Sequence, residues 1–151
     1  LGYVLGQSIR KGTTKFSNTN YWSSTVSSYP AYVYDSNSTL YSYVENYKSH
    51  LEGLGAEVNE ARLITIEELE GLGCSRSSYR CSGSPEWVYS TSYWTQTVNS
   101  TNTIYSLDND GNLNPLTYTH VDYGLRPIIV IPKYVLSNSN LEQTVFTVCI
   151  I

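Results

Sequence analysis

Strands, then two helices, then strands again: the order of patterns along this chain predicts a single α+β domain. Three observations carry that expectation. From Leu40 the apolar positions Leu40, Tyr43, Val44, Tyr47, Leu51 and Leu54 recur three and four apart, the signature of one amphipathic helix. Thr65-Ile66-Glu67-Glu68 has the form of a capping box at the start of a second helix. After Cys81 the chain alternates short aromatic or apolar runs with turn residues, which reads as strands. At 151 residues there is room for one sizeable core.

The first forty residues hold three islands, Tyr3–Leu5, Tyr21–Trp22 and Ala31–Tyr34, separated by Ser, Thr, Asn and Gly. Ser38 or Thr39 is placed to cap the first helix, and Gly53 and Gly55 to stop it. Val58–Ile64 reads as extended, and the second helix as Ile66–Leu72, with Glu67 and Glu68 at its positive end and Gly73 closing it. Glu86–Ser90 reads as extended chain ahead of Tyr93-Trp94. Thr103–Leu107 and Asn112–Leu116 flank Asp108-Asn109-Asp110-Gly111, a hairpin turn with glycine at the positive-φ position. Leu125–Ile131 is the most apolar stretch and is expected as a central strand, with Pro127 near its start where a missing N–H is tolerated. Val145–Ile151 is expected as a last strand.

Polarity here comes from uncharged residues. Charged side chains make up 15% of the chain, and there are 15 Tyr against two Phe and no Met. Tyrosine offers a stiff amphipathic contact at low entropic cost, which suits binding loops; it also suits half-buried strands. The net charge of −4, with Lys and Arg scattered, leaves no basic stripe for nucleic acid. No stretch has the length needed to cross a bilayer. The chain opens at Leu1 rather than Met, so a signal peptide, pilin-type anchor or further domain is expected upstream.

Cys74 and Cys81 flank the polar loop SRSSYR. A disulfide between them would close about eight residues and contribute about 2.5 kcal/mol through the unfolded chain, and would place the protein in an oxidising compartment. Two free thiols or a metal pair are the alternatives, the metal disfavoured because neither His50 nor His120 has a second ligand at zinc spacing. Cys149, in the apolar tail VFTVCII, reads as a small buried hydrophobe. No metal or other cofactor is expected.

Chemistry for catalysis is sparse: two His, no G-x-S-x-G elbow, and no His close to a Cys. Glu67, Glu68 and Glu70 are accounted for by capping and solvation. The run from Asp108 to Asn112 lacks the closing Glu of a calcium loop. What remains is Tyr89–Tyr123, where Tyr alternates with small polar residues, a composition suited to adaptable hydrogen bonding and rigid aromatic contact; a plain solvent-facing hairpin region has the same composition.

The segments ARLITIEELEGLGC (61–74), WVYSTSYW (87–94), YSLDNDGNL (105–113) and YGLRPIIVI (123–131), in that order, resemble a family of bacterial surface and phage-borne domains related to formylglycine-generating enzymes. The resemblance covers the chain from about Tyr41 onward, and its most specific piece is Gly124-Leu125-Arg126-Pro127. It implies a C-type-lectin-like fold, two helices packed on a twisted antiparallel sheet with long polar hairpins. It also implies Trp94 in the core, Gly111 in the hairpin turn, and Arg126 as a buried anchor for the binding loops.

Relatives with this fold include the variable proteins of diversity-generating retroelements, which scatter Asn, Tyr, Ser, Thr, Asp and His over one exposed face. By that analogy the exposed contact set is Tyr93, Gln96, Asn99, Asn102, Tyr105, Asp108, Asn114, Tyr118, His120 and Asp122. The enzymes of the family use a pair of active-site cysteines, and only Cys149 lies near the matching chain end; the Glu-Pro-Asn, Gln-Pro-Asp and Trp-Asn-Asp motifs of calcium-dependent lectins are absent. The expectation is a non-enzymatic extracellular or cell-surface binding domain, of adhesin, pilus-tip or phage receptor-binding type, that takes a protein or glycan ligand on another surface. A formylglycine-generating-type oxidase and a structural pilin-like subunit are the alternatives.

Overall fold

The computed structural model describes residues 1–19 and 26–133. The island at Tyr21–Trp22, the strand expected at Val145–Ile151 and Cys149 lie outside the described residues. Among the described residues the architecture is mixed α+β, with two α-helices and two antiparallel sheets. Strands β1 (Gly2–Leu5), β3 (Glu60–Arg62) and β7 (Ile128–Ile131) form a three-stranded sheet in the order β1-β7-β3. Strands β2 (Ala31–Tyr32), β4 (Tyr93–Val98), β5 (Thr103–Leu107) and β6 (Leu113–Thr117) form a four-stranded sheet in the order β2-β4-β5-β6. The strand expected to be central is so: β7 has a partner on each side, and all four of its residues are buried.

Helix α1 spans Tyr41–Gly53 and buries Val44 and Leu51, with Leu40 buried just before it. The stripe is narrower than the spacing implies, because Tyr43 and Leu54 are exposed and Arg10 lies over the Tyr43 ring at 4.6 Å. Neither Ser38 nor Thr39 caps this helix. Leu40 holds the cap position without a side-chain bond, and the approach is set one turn earlier by Asp35, whose Oδ1 accepts from the Asn37 amide while its carbonyl accepts from the Ser38 amide.

Helix α2 (Ile66–Gly71) begins as its sequence dictates. Thr65 Oγ1 accepts from the Glu68 amide at 3.2 Å and Glu68 Oε2 accepts from the Thr65 amide at 2.9 Å. Arg62 then grips the same carboxylate with both terminal nitrogens, at 2.9 and 2.6 Å. Burial alone would raise the Glu68 pKa; the Arg62 and Thr65 donors outweigh it and the net shift is downward. The third amide of the helix start, Ile66, donates to Thr97 Oγ1 on β4, which docks the helix on the four-stranded sheet.

One extended segment is a helix instead. Glu86–Tyr89 forms a 3-10 turn started by Pro85, with Val88 buried beneath it. Its carbonyls do not enter a strand ladder: Val88 O accepts from Tyr93 Oη at 2.7 Å and from Arg126 Nη1 at 3.2 Å, and Trp87 O also accepts from Arg126.

Two apolar clusters form the core, and residues of β4 and β5 alternate between them. Trp94, Val98 and Ile104 join Phe16, Leu40, Val44, Leu51 and Ile129 in one. Tyr93, Tyr105 and Leu107 join Ile64, Ile66, Leu69, Val88 and the cystine in the other. At the outer edge of the four-stranded sheet, two of the three outward positions of β6 are closed to further pairing. Tyr118 donates its amide to Asn102 O, which by the register places the Leu113, Pro115 and Thr117 positions facing away from β5. The Leu113 amide is taken by Tyr79 O, and Pro115 has none to offer.

Candidate ligand-binding surface

The structure sorts the ten expected contact residues into three groups. Tyr93, Gln96 and Tyr105 are buried, at 0%, 9% and 5% exposure, and so are not part of an exposed set. All six residues of β4 are buried because both faces of that strand are covered, and Tyr105 faces the cystine-side cluster from β5. Strand alternation marks a polar face only when one side meets water. Burial raises the pKa values of Tyr93 and Tyr105, and the Tyr93 hydroxyl is spent on Val88 O. Gln96 Oε1 has no hydrogen-bond partner among the described residues.

Asp108 and Asn114 are half-buried and work inside the hairpin. Asp108 Oδ1 accepts from the amides of Asp110 and Asn112 at 3.0 and 2.8 Å, and Oδ2 from the side-chain amides of Asn112 and Asn114, both at 2.9 Å. Burial pulls the Asp108 pKa up, and these four donors pull it further down, so the carboxylate is held ionised. Asn114 also donates to Tyr123 Oη at 3.2 Å. Gly111 completes the turn at φ 78°, a region a side chain rarely adopts.

The remaining five lie on two loops that meet at one backbone bond. Asn99 and Asn102 lie in the turn between β4 and β5, and Tyr118, His120 and Asp122 in the segment after β6. The Tyr118 amide bonded to Asn102 O at 3.2 Å joins the two loops. Asn102 and Asp122 are exposed, and Asn99, Tyr118 and His120 half-exposed. Each loop is braced from within. Asn99 Nδ2 donates to Thr103 Oγ1 at 3.1 Å, the Ser17 amide to Tyr118 O, and the Thr14 amide to Tyr123 O. His120 Nδ1 accepts from the Val121 amide and stands 3.7 Å from Asp122 Oδ2.

Behind this surface stands the scaffold. Trp94 is fully buried, packed edge-on to Phe16 and tilted against Tyr123, each at 5.8 Å. Arg126 is 5% exposed, and its Nε donates to Gly6 O at 2.9 Å while Nη1 holds the carbonyls of the 3-10 turn. Pro127 is buried, and its carbonyl accepts from the Gly6 amide at 2.7 Å. A side chain at Gly124 would collide with the Arg10 carbonyl, so glycine is required where the 123–125 segment passes residues 10–12. Cys74 and Cys81 form a disulfide and both are buried.

Sequence reasoning passed over the other face of the four-stranded sheet. Tyr32 on β2 is 51% exposed and Tyr79, at the tip of the cystine loop, 47%. Tyr79 carried a signal, as the lone aromatic in a disulfide-closed polar loop; Tyr32 carried none. Beside β2 an open pocket of about 370 Å³ is lined by residues between Val26 and Asp35. Among the described residues no cluster of three or more His, Cys, Asp or Glu is placed to hold a metal ion, and no helix is long and apolar enough to cross a membrane. No protein-family model, curated protein or solved structure matches the chain.

Proposed function

We propose that this chain is a non-enzymatic binding domain whose ligand contacts the surface formed by Asn99, Asn102, Tyr118, His120 and Asp122. The observation that carries the reading is the junction of the two loops through Tyr118 and Asn102, which sets small polar groups and one tyrosine on neighbouring turns already held by hydrogen bonds. A preorganised surface of this composition binds without first ordering its loops. The cystine supports an oxidising, extracellular or cell-surface setting.

Within that class, the particular reading is a C-type-lectin-like domain of the formylglycine-generating-enzyme-related surface family, used for display as in retroelement variable proteins. The buried Arg126 and Trp94 and the close passage at Gly124 support it, since these are the positions that the resemblance makes structural. The ligand is a protein or glycan on another surface. Binding of the purified chain to arrayed cell-surface proteins and glycans tests the class. The combined Asn102→Ala, His120→Ala and Asp122→Ala variant is expected to lose the ligand found, with unfolding unchanged to within about 0.5 kcal/mol. Undiminished binding by that variant would place the ligand elsewhere. A near-copy of the coding region for residues 89–126, differing at adenines and lying beside a reverse transcriptase gene, would support the retroelement reading. A genome without it would remove that reading and leave the class intact.

A further inference from the structure

The face of the four-stranded sheet that carries the cystine loop brings five side chains together without help from the surface just described. Thr97 is the hub. Tyr32 pairs with it across β2 and β4, and its Oγ1 receives the first amide of α2, so Tyr32 lies beside the helix turn that bears Glu67. Arg76 arrives from the cystine loop. Its Nη2 donates to Glu67 Oε1 at 3.0 Å and Glu70 Oε2 at 2.9 Å, and its Nε to Glu70 Oε1 at 3.2 Å. Tyr79 stands on the same loop, fixed to β6 through its carbonyl, and its hydroxyl shares the surroundings of the Tyr105 phenol with Arg76, Glu70 and Glu67, all of which act on the Tyr105 pKa after burial. Two half-exposed phenol rings thus accompany a guanidinium clamped between two carboxylates.

We propose that Tyr32, Glu67, Glu70, Arg76 and Tyr79 form a second binding site, whose ligand is a neutral glycan. One guanidinium serves two carboxylates, so the cluster keeps a net negative charge that turns away an acidic partner, while Arg76 lodged between the carboxylates blunts the pull on a basic one. Hydrogen-bonding capacity remains. Arg76 Nη1 makes no bond among the described residues, and the Glu67 carboxylate, which meets both Arg76 and the Tyr32 hydroxyl, still has lone pairs to accept with. A donor and an acceptor fixed next to each other match a vicinal diol, in which every hydroxyl both donates and accepts. Tyrosine rings supply the flat apolar surface on which the C–H face of a sugar rests. The ion pairs hold the polar groups in place before binding, so less ordering cost falls on the complex. Partial burial first, and its hydrogen bond to the Glu67 carboxylate second, raise the Tyr32 pKa to about 12.

Affinity electrophoresis through neutral polysaccharides (glucans, mannans, galactans and xylans), together with an array of neutral and acidic oligosaccharides, tests the site. The wild-type chain is expected to be retained by at least one neutral glycan. Tyr32→Ala and Tyr79→Ala are each expected to weaken that binding about tenfold, with thermal unfolding unchanged. Glu67→Gln, which keeps the size of the side chain, is expected to weaken it too, and Glu52→Gln, on the exposed face of α1, to leave it intact. The proposal is overturned if no neutral glycan is retained, if only acidic ones are, or if the tyrosine variants bind as wild type. Loss on Asn102→Ala with the tyrosine variants unaffected would overturn it as well, while upholding the turn surface as the ligand site.

Discussion

The indole Nε1 of Trp94 donates to the carbonyl oxygen of Thr14 at 2.6 Å, a bond that spans 80 residues and is buried at both ends. It ties the first irregular loop to the middle of the sheet that supports the proposed ligand surface. Trp94→Phe removes the donor and part of the ring, leaving a buried carbonyl unpaired beside a small void. We expect a loss of about 3 kcal/mol in denaturant unfolding. An unchanged midpoint would mean that the loop is held by other contacts.

Arg126 plays the matching role for the N-terminal strand, through Gly6, and for the 3-10 turn, through Trp87 and Val88. Arg126→Met keeps much of the side-chain volume but takes the donor from Gly6 O and leaves Val88 O and Trp87 O with only the Tyr93 and Ser90 hydroxyls, at an expected cost of about 2 kcal/mol. Arg126→Lys should recover little of this, because an ammonium cannot reproduce the fork that meets carbonyls in two directions. Equal stability of the Lys variant and wild type, measured in urea, would refute the fork argument.

Tyr105 and Tyr118 separate a core tyrosine from a surface one. Tyr105→Ala should cost about 3 kcal/mol, as a large ring leaves the cystine-side cluster. Tyr118 only packs at the margin of the other cluster, and Tyr118→Ala should cost about 1 kcal/mol while weakening ligand binding. Thermal unfolding of the two variants side by side decides the matter; equal losses would put both rings in the core.

Reduction of the Cys74–Cys81 bridge, or Cys74→Ser with Cys81→Ser, should lower stability by about 2.5 kcal/mol. The loop that carries Arg76 and Tyr79 should then become the first site of limited proteolysis. Cleavage elsewhere first would show that the bonding of Tyr79 O to Leu113 and the pairing of Arg80 with Asn112 hold the loop without the bridge.

Acid should reveal the Arg62–Glu68 pair. The folded-state pKa of Glu68 is lowered, so its stabilisation is full above the unfolded-state carboxylate value and is lost as pH falls through that value toward the folded one. Glu68→Gln is therefore expected to unfold at lower temperature than wild type at neutral pH, and the gap should narrow as pH drops below the ordinary Glu range. Parallel curves would show that the pair contributes no pH-linked stability.

Local rules settled much of this molecule before tertiary contacts entered. The capping box at Thr65 and Glu68 forms as its spacing requires, since both partners lie within one turn. The Asp108–Gly111 turn sets the register of β5 and β6 for the same reason. The pairing of Cys74 with Cys81 follows from a loop too short to hold a core. Local reasoning failed where distant chain intervenes. The segment Glu86–Tyr89 turns into a 3-10 helix because Tyr93 and Arg126 claim its carbonyls. Asp35, not Ser38 or Thr39, prepares the entry to α1.

What the sequence determined by itself is an α+β chain with two helices, a tight acidic turn, a closed cystine loop and a polar, tyrosine-rich second half. Tertiary structure alone decided which of those tyrosines and amides meet solvent. Exposure depends on how many layers cover a strand, and β4 is covered on both faces by segments as far away in the chain as Phe16 and Ile66. A pattern with period two records the pleat, not the cover, so Tyr93, Gln96 and Tyr105 read as surface residues and fold as interior ones.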